Sequence, residues 1–227
     1  MQGTLINSVT ESVSSKVVKS WSAFTSNLSA PLFKFTRKAI QQQLPTASNL
    51  VRWGRLANSS CTLCQKIQTN KHVLSNCSSI IALQRYTLRH DSVLKILADW
   101  IVKVKLPTCS IHVDHPSNQF GKVSDIFCSL RPDVVIVGIN RISTLELTVC
   151  HESNLLKSKA YKESKYAMLH NDCLPKYQRY SLERFTIEVS TLGFISDFKD
   201  FCRNNLHDNA LPLTVRNEII SSVINCY

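Results

Sequence analysis

Two acidic residues, Asp133 and Glu146, stand where two short runs of β-branched residues would bring them together. The first run is Arg131-Pro132-Asp133-Val134-Val135-Ile136-Val137, and the second is Ile142-Ser143-Thr144-Leu145-Glu146-Leu147-Thr148-Val149. A polar break, Gly138 to Arg141, separates them, so the pattern predicts a β-hairpin. A four-residue loop pairs Val137 with Ile142, and stepping outward pairs Val135 with Thr144 and Asp133 with Glu146. Directly opposed residues share a face, with Cβ atoms about 5 Å apart. Two carboxylates held that close repel unless something neutralises them, and a divalent cation such as Mg²⁺ is the usual answer. The opposite face carries Val134, Ile136, Leu145, Leu147 and Val149, which suits a core. The alternative is an ordinary hairpin with two solvent-facing acids in a slipped register.

A second constellation is Cys61-x2-Cys64-x7-His72-x4-Cys77. Three thiols and an imidazole at this spacing can close a tetrahedral Zn²⁺ site, with the Cys-x-x-Cys turn giving two ligands and a short helical return the others. Scattered buried Cys plus a surface His is the alternative. The other six cysteines (109, 128, 150, 173, 202 and 226) show no ligand spacing and are expected in the core.

The elements that must position these groups can be read in outline. Val9, Val13, Val17 and Trp21 recur at helical spacing. Pro31 opens a helix over 32–44 that Pro45 ends, and Lys34, Arg37 and Lys38 fall within one turn of it. Thr46 caps a third helix with Leu50, Val51 and Trp53. Residues 80–104 read as a long helix whose apolar face holds Leu83, Leu88, Val93, Leu94, Leu97, Trp100 and Ile101. Arg85, Arg89 and His90 lie on its charged start. Residues 105–130, with Pro107, Pro116 and Gly121, read as a loop with one short strand. A helix from His151 to about Leu169 puts Lys162, Lys165 and Leu169 on one stripe. There a Lys leaning over the carboxylates could stabilise a pentavalent phosphate. The alternative is a solvated basic face. Phe185 to Ser190 forms a further strand, and helices over 197–206 and 215–223 close the chain.

The chain has 227 residues and 44% hydrophobic content, enough for a real core. It holds 27 Lys+Arg against 16 Asp+Glu, unevenly spread: seven basic and one acidic in 1–60, eight and four in 61–130, twelve and eleven in 131–227. A basic entry surface beside an acidic pocket suits a polyanion whose backbone is handled by metal. Met1 to Ser8 lack the pattern of a signal peptide, and no apolar run reaches the length of a membrane span. Nine cysteines, an odd number, then suggest reduced thiols in the cytosol or nucleus. The abrupt start suggests a segment of a longer polypeptide.

The order of these motifs carries a family likeness: a Cys-Cys-His-Cys module, Arg89-His90-Asp91, Arg131-Pro132-Asp133, Glu146-Leu147-Thr148-Val149, Lys162-x-x-Lys165-Tyr166 and Ile187-Glu188-Val189. Over roughly residues 44–200 it resembles the C-terminal region of non-LTR retrotransposon polyproteins that end in a restriction-like endonuclease. It also looks like the PD-(D/E)xK nuclease superfamily. The resemblance implies an α/β fold, a mixed sheet flanked by helices, preceded by a CCHC zinc module and N-terminal helices. The expected parts are a basic helical linker (1–56), the zinc module (57–80) and the endonuclease domain (81–227). It implies that Asp133 and Glu146 bind Mg²⁺ or Mn²⁺, with Glu152 and Glu188 assisting. The superfamily's Lys usually lies two residues after the Glu. Thr148 stands there, so Lys162 or Lys165 must supply it. The family often has Gly-x-Arg-Gly after the last strand, where this chain has Ser190-Thr191-Leu192-Gly193. The implied activity is nicking of target DNA for element integration, in the nucleus, beside an upstream reverse transcriptase domain. Lys34, Arg37, Lys38, Arg85, Arg89 and His90 would contact DNA, with element RNA as a further ligand and no membrane. The alternatives are an inactive zinc-containing nucleic-acid-binding remnant and a protein-interaction module.

Overall fold

The hairpin forms in the register its residues set. In the computed structural model, which describes residues 9, 15–117, 119–207 and 210–227, β2 (Val134–Val137) and β3 (Arg141–Cys150) pair antiparallel with Val135 opposite Thr144 and Val137 opposite Ile142. Strand β1 (Ser110–Val113) adds antiparallel to the outer side of β2. Strand β4 (Ser181–Ser190) runs parallel to the whole of β3. The sheet order is β1-β2-β3-β4. A parallel pair needs a long crossover, and helices α5 (Leu155–Lys165) and α6 (Leu169–Asp172) occupy it.

Alternation along the strands separates two cores. Val134, Ile136, Leu145, Leu147, Ile187 and Val189 pack with Val93, Leu94, Leu97 and Ile101 of helix α4 (Ile80–Val104). They also meet helices α7 (Lys199–Asn205) and α8 (Leu213–Asn225) through Phe201, Ile219 and Val223. On the opposite face Val135 and Ile142 meet Ile126, Phe127, Tyr166 and Leu169. The result is a mixed α/β unit with helices on both faces of a four-stranded sheet.

The N-terminal helices are α1 (Ser15–Thr25), α2 (Ala30–Ile40) and α3 (Ala47–Arg52). Val17 and Trp21 are buried, as their spacing predicts; Val13 lies outside the described residues. Where described, residues 15–56 pack against the C-terminal part of the chain. Trp21 Nε1 donates to Leu192 O (2.6 Å), and its ring stacks on Phe194 at 4.3 Å. Trp21, Ala39, Leu44, Leu74, Leu192, Phe194, Ile220 and Ile224 form one cluster.

Several boundaries differ from expectation for local reasons. Helix α2 ends at Ile40 rather than Leu44, because Gln42 takes a left-handed φ of 58° and Gln43 N bonds Lys38 O. The helix expected over 151–169 breaks after Lys165, where the Tyr166 ring turns inward. Helix α4 has its predicted span, capped by Ser79 accepting from Ala82 N. Leu83 and Leu88, however, are exposed, and Arg89 is wholly buried. Leu88 lies about 100° round the helix from Arg89, off the packed stripe. Cys128, expected in the core, is exposed, and no disulfide forms among the described residues. Among the described residues no helix is long and apolar enough to cross a membrane.

Candidate zinc centre and carboxylate face

Residues 60–67 fold into a tight knuckle. Cys61 N donates to Lys66 O, Gln65 N returns to Cys61 O, and Gln65 adopts a φ of 62°. The turn brings Cys61 and Cys64 together. A single π-helical turn, His72–Asn76, then carries the chain back with His72 at its start and Cys77 after its end. The four ligand atoms lie within 4.8 Å of one another, and Cys64 Sγ stands 3.3 Å from His72 Nε2. Zinc bonds of about 2.3 Å to sulfur imply ligand separations of roughly 3.7 Å in a tetrahedron, so the donor set fits Zn²⁺ with little movement. Burial opposes ionisation of both Cys61 and Cys64 but is overcome. The N–H groups of Leu63 and Cys64 lower Cys61, while those of Lys66 and Ser78, with the Cys77 thiol, lower Cys64 to about 7. Thiolate character is what a metal ligand needs.

The second site lies on the sheet face under α5. Asp133 comes just before β2 and Glu146 is central in β3; both are buried. Asp133 Oδ2 accepts from Leu147 N at 2.7 Å, which fixes the acid against the neighbouring strand. Its Oδ1 lies 3.5 Å from His90 Nε2, and His90 Nδ1 is 3.1 Å from Asp91. Lys162 reaches down from α5: its Nζ is 2.7 Å from Glu146 Oε2 and 3.7 Å from Asp133 Oδ2. Lys165, one turn on, instead meets the Tyr166 hydroxyl at 3.1 Å. Lys162 therefore stands over the acids, and Lys165 does not.

One lysine cannot neutralise two buried carboxylates. Burial, then the Asp133 charge, push Glu146 up to about 8 despite Lys162. Burial also acts on Asp133, but His90, Lys162 and the Leu147 N–H outweigh it and hold Asp133 below the ordinary range. His90 is raised, since Asp133 and Asp91 overcome the burial that opposes its charge. The face thus holds one ionised acid and one that keeps a proton near neutrality. Glu146 Oε1 is buried with no hydrogen-bond partner among the described residues. That orphaned oxygen beside an ionised aspartate suits a hard divalent cation with oxygen ligands.

Tyr166, which closes the Lys162-x-x-Lys165-Tyr166 motif, had no role assigned from the sequence. Its buried ring lies under both ammonium groups, 5.6 Å from Lys162 Nζ and 4.7 Å from Lys165 Nζ, and its hydroxyl donates to Arg131 O. The i, i+4 spacing from Lys162 was the available signal. Burial, then Glu146 and Asp133, raise its pKa, so it remains a neutral donor. Glu188, beside Thr148 in the parallel register, shares the Glu146 face, and its Oε1 is also unpartnered. Glu152, expected to assist, is committed elsewhere: it accepts from Thr191 Oγ1 (3.0 Å) and Leu192 N (2.9 Å) and ties down the Ser190–Gly193 turn.

The expected nucleic-acid residues divide. Lys34, Arg37 and Arg85 are exposed and Lys38 is half-buried. Arg89 cannot contact a polyanion, because its side chain is fully buried among Tyr86, Leu74 and Tyr227. His90 belongs to the carboxylate face. A separate cavity of about 670 Å³, lined by Phe24, Phe198, Leu211 and Arg216, includes none of these groups.

Residues 9–83 match the family model described as zinc-binding in reverse transcriptase. The match takes in α1 to α3, all four zinc ligands and the first turn of α4, and it stops short of the carboxylate face. This part of the chain is therefore similar to the zinc-binding region of reverse transcriptases. No curated protein matches the chain.

Proposed function

We propose that residues 81–227 are a divalent-cation-dependent phosphodiesterase that nicks DNA, working with the zinc-bearing region inside a retroelement reverse transcriptase polyprotein. What supports this most is the meeting of Asp133, Glu146 and Lys162 on one sheet face, with Glu146 Oε1 unpartnered. Asp133 and Glu146 would hold Mg²⁺ or Mn²⁺. The ion would supply an activated water and neutralise phosphoryl oxygens. Asp133, fixed by Leu147 N and His90, provides a preorganised anionic ligand. Lys162 places a fixed cation where charge develops on the phosphoryl group, and Tyr166 steadies it from below. The polyanion would be held by the N-terminal third. Residues 12–90 contain eleven Lys+Arg and no Asp or Glu, which equals the whole charge excess of the chain (27 − 16 = 11).

The test is nicking of supercoiled plasmid in Mg²⁺ or Mn²⁺. Asp133→Ala and Glu146→Ala should abolish nicking while DNA affinity stays near that of the parent. Lys162→Ala should slow it by about 10²-fold or more, in the range of one lost electrostatic stabiliser, and Lys165→Ala should leave it nearly unchanged. Nicking by Asp133→Ala at the parental rate would end this mechanism. A parent that binds zinc and DNA yet never nicks would be an inactive nucleic-acid-binding remnant.

A further inference from the structure

Arg89 is a buried cation with no acidic partner within ion-pair distance among the described residues. Its Nη1 donates to Leu74 O at 3.0 Å and to the Tyr227 hydroxyl, while Nε and Nη2 have no hydrogen-bond partner among the described residues. Its guanidinium lies 5.3 Å from the ring centres of both Tyr86 and Tyr227. A charge taken out of water is costly unless its surroundings compensate. Here the compensation comes from two rings, the Tyr227 hydroxyl and one backbone carbonyl.

That carbonyl belongs to the zinc-ligand segment. Leu74 sits in the π-helical turn between His72 and Cys77, and its oxygen also accepts from Tyr227. Tyr86, one turn before Arg89 on the same face of α4, grips the same segment. Its hydroxyl accepts from Cys77 N (3.1 Å) and donates to His72 O (3.2 Å). Helix α4 therefore holds backbone groups of both C-terminal zinc ligands. The residue after Arg89 is His90, which meets Asp133. A second tether runs from Lys71, adjacent to His72, to Asn154 Oδ1 at 2.8 Å. Asn154 immediately precedes α5, the helix that brings Lys162 to Glu146. The ligand segment is thus attached to both elements that deliver side chains to the carboxylate acids.

We infer that Arg89 is a positioning residue that couples the Cys61/Cys64/His72/Cys77 site to the Asp133/Glu146/Lys162 face, so that zinc loading strengthens divalent-cation binding there. The inference rests on the cation-binding reading of that face. Coupling of this kind is reciprocal and commonly five- to 150-fold, and rigid packed elements with discrete arrangements can carry it.

The experiment uses the full chain, zinc-loaded and zinc-stripped, and measures Mn²⁺ affinity by electron paramagnetic resonance, with zinc-loaded Asp133→Asn as the blank. The backbone amide resonances of His90 and Lys162 are followed in parallel. Zinc removal should weaken Mn²⁺ binding at least about fivefold and shift both amides. Zinc-loaded Arg89→Met, which keeps the bulk and loses the donors, should bind Mn²⁺ as weakly as the stripped parent. Arg89→Lys, which keeps one donor to Leu74 O, should recover part of the affinity. If the stripped chain or the Met variant unfolds, zinc-loaded Arg89→Lys decides alone, by an affinity below the parent's. Equal Mn²⁺ affinity across parent and variants, or amides that ignore zinc, would overturn the coupling. Absence of Mn²⁺ binding in the zinc-loaded parent would instead remove the cation-binding reading, and the amide shifts would still decide the coupling.

Discussion

Binding of a divalent cation to the carboxylate face should release a proton. Burial and the neighbouring Asp133 charge raise Glu146 to about 8, whereas a metal ligand must be an unprotonated carboxylate. With that value roughly nine in ten molecules carry the Glu146 proton at pH 7, about half at pH 8 and roughly one in ten at pH 9. Mn²⁺ should therefore displace about 0.9 proton per ion at pH 7, about 0.5 at pH 8 and about 0.1 at pH 9. Apparent affinity should climb close to tenfold per pH unit below 7 and level off above 9. The sign for the metal-free fold is the reverse. A carboxyl raised above its unfolded value of 4.5 contributes stability that is complete below that value. The contribution disappears as pH rises through about 8. Added cation should thus raise thermal stability most at pH 8 to 9. Calorimetry in two buffers of different ionisation enthalpy reads the released proton directly, and Glu146→Gln should release none. Cation binding at pH 7 with no proton release would refute the assignment of the proton to Glu146.

Further outcomes follow from other parts of the fold. Cys64→Ser should drop bound zinc from about one per chain to near zero and raise proteolysis of residues 55–80; a folded, reduced parent with no zinc would exclude the site. Replacing Lys34, Arg37 and Lys38 by Gln should lower the slope of log affinity for DNA against log salt by about 2 to 3, at 0.9 per phosphate contact. An unchanged slope would remove this helix from the DNA surface. Gly193 has a φ of 84°, and an added Cβ would meet Ile220 Cγ2 at 2.9 Å and Ile220 Cα at 3.1 Å. Gly193→Ala should cost about 2–4 kcal/mol in urea unfolding, from left-handed strain and overpacking together. A loss under about 0.5 kcal/mol would show that the turn relaxes at no cost.

The hairpin was legible because β-branched alternation and a short polar break leave one register that buries an apolar face. The zinc ligands were legible from local spacing. The arrival of His90 beside Asp133 was not, since it closes across 43 residues and depends on how α4 lies on the sheet. Lys162 and Lys165 share a helix face, so spacing could not choose between them; the inward turn of the Tyr166 ring does. Arg89 was misread for a physical reason. A charged residue on a helix is expected in water, and its real partners are a backbone carbonyl and a ring 138 positions away. Leu83 and Leu88 were misread for the converse reason: periodicity identifies a stripe without saying where along the helix neighbours begin.

The bond from Trp21 to Leu192 spans 171 residues. At typical synthesis rates of about 5–20 residues per second, roughly ten to thirty seconds separate the two partners' emergence from the ribosome. During that interval α1 has no Phe194 to stack on and no Ile220 to cover it. The zinc knuckle, whose four ligands fall within 17 residues, can close long before. The knuckle can therefore be finished while the helices that precede it are still exposed and open to chaperones or proteases. Arrest at residue 190 should leave residues 15–25 protease-sensitive with zinc already bound.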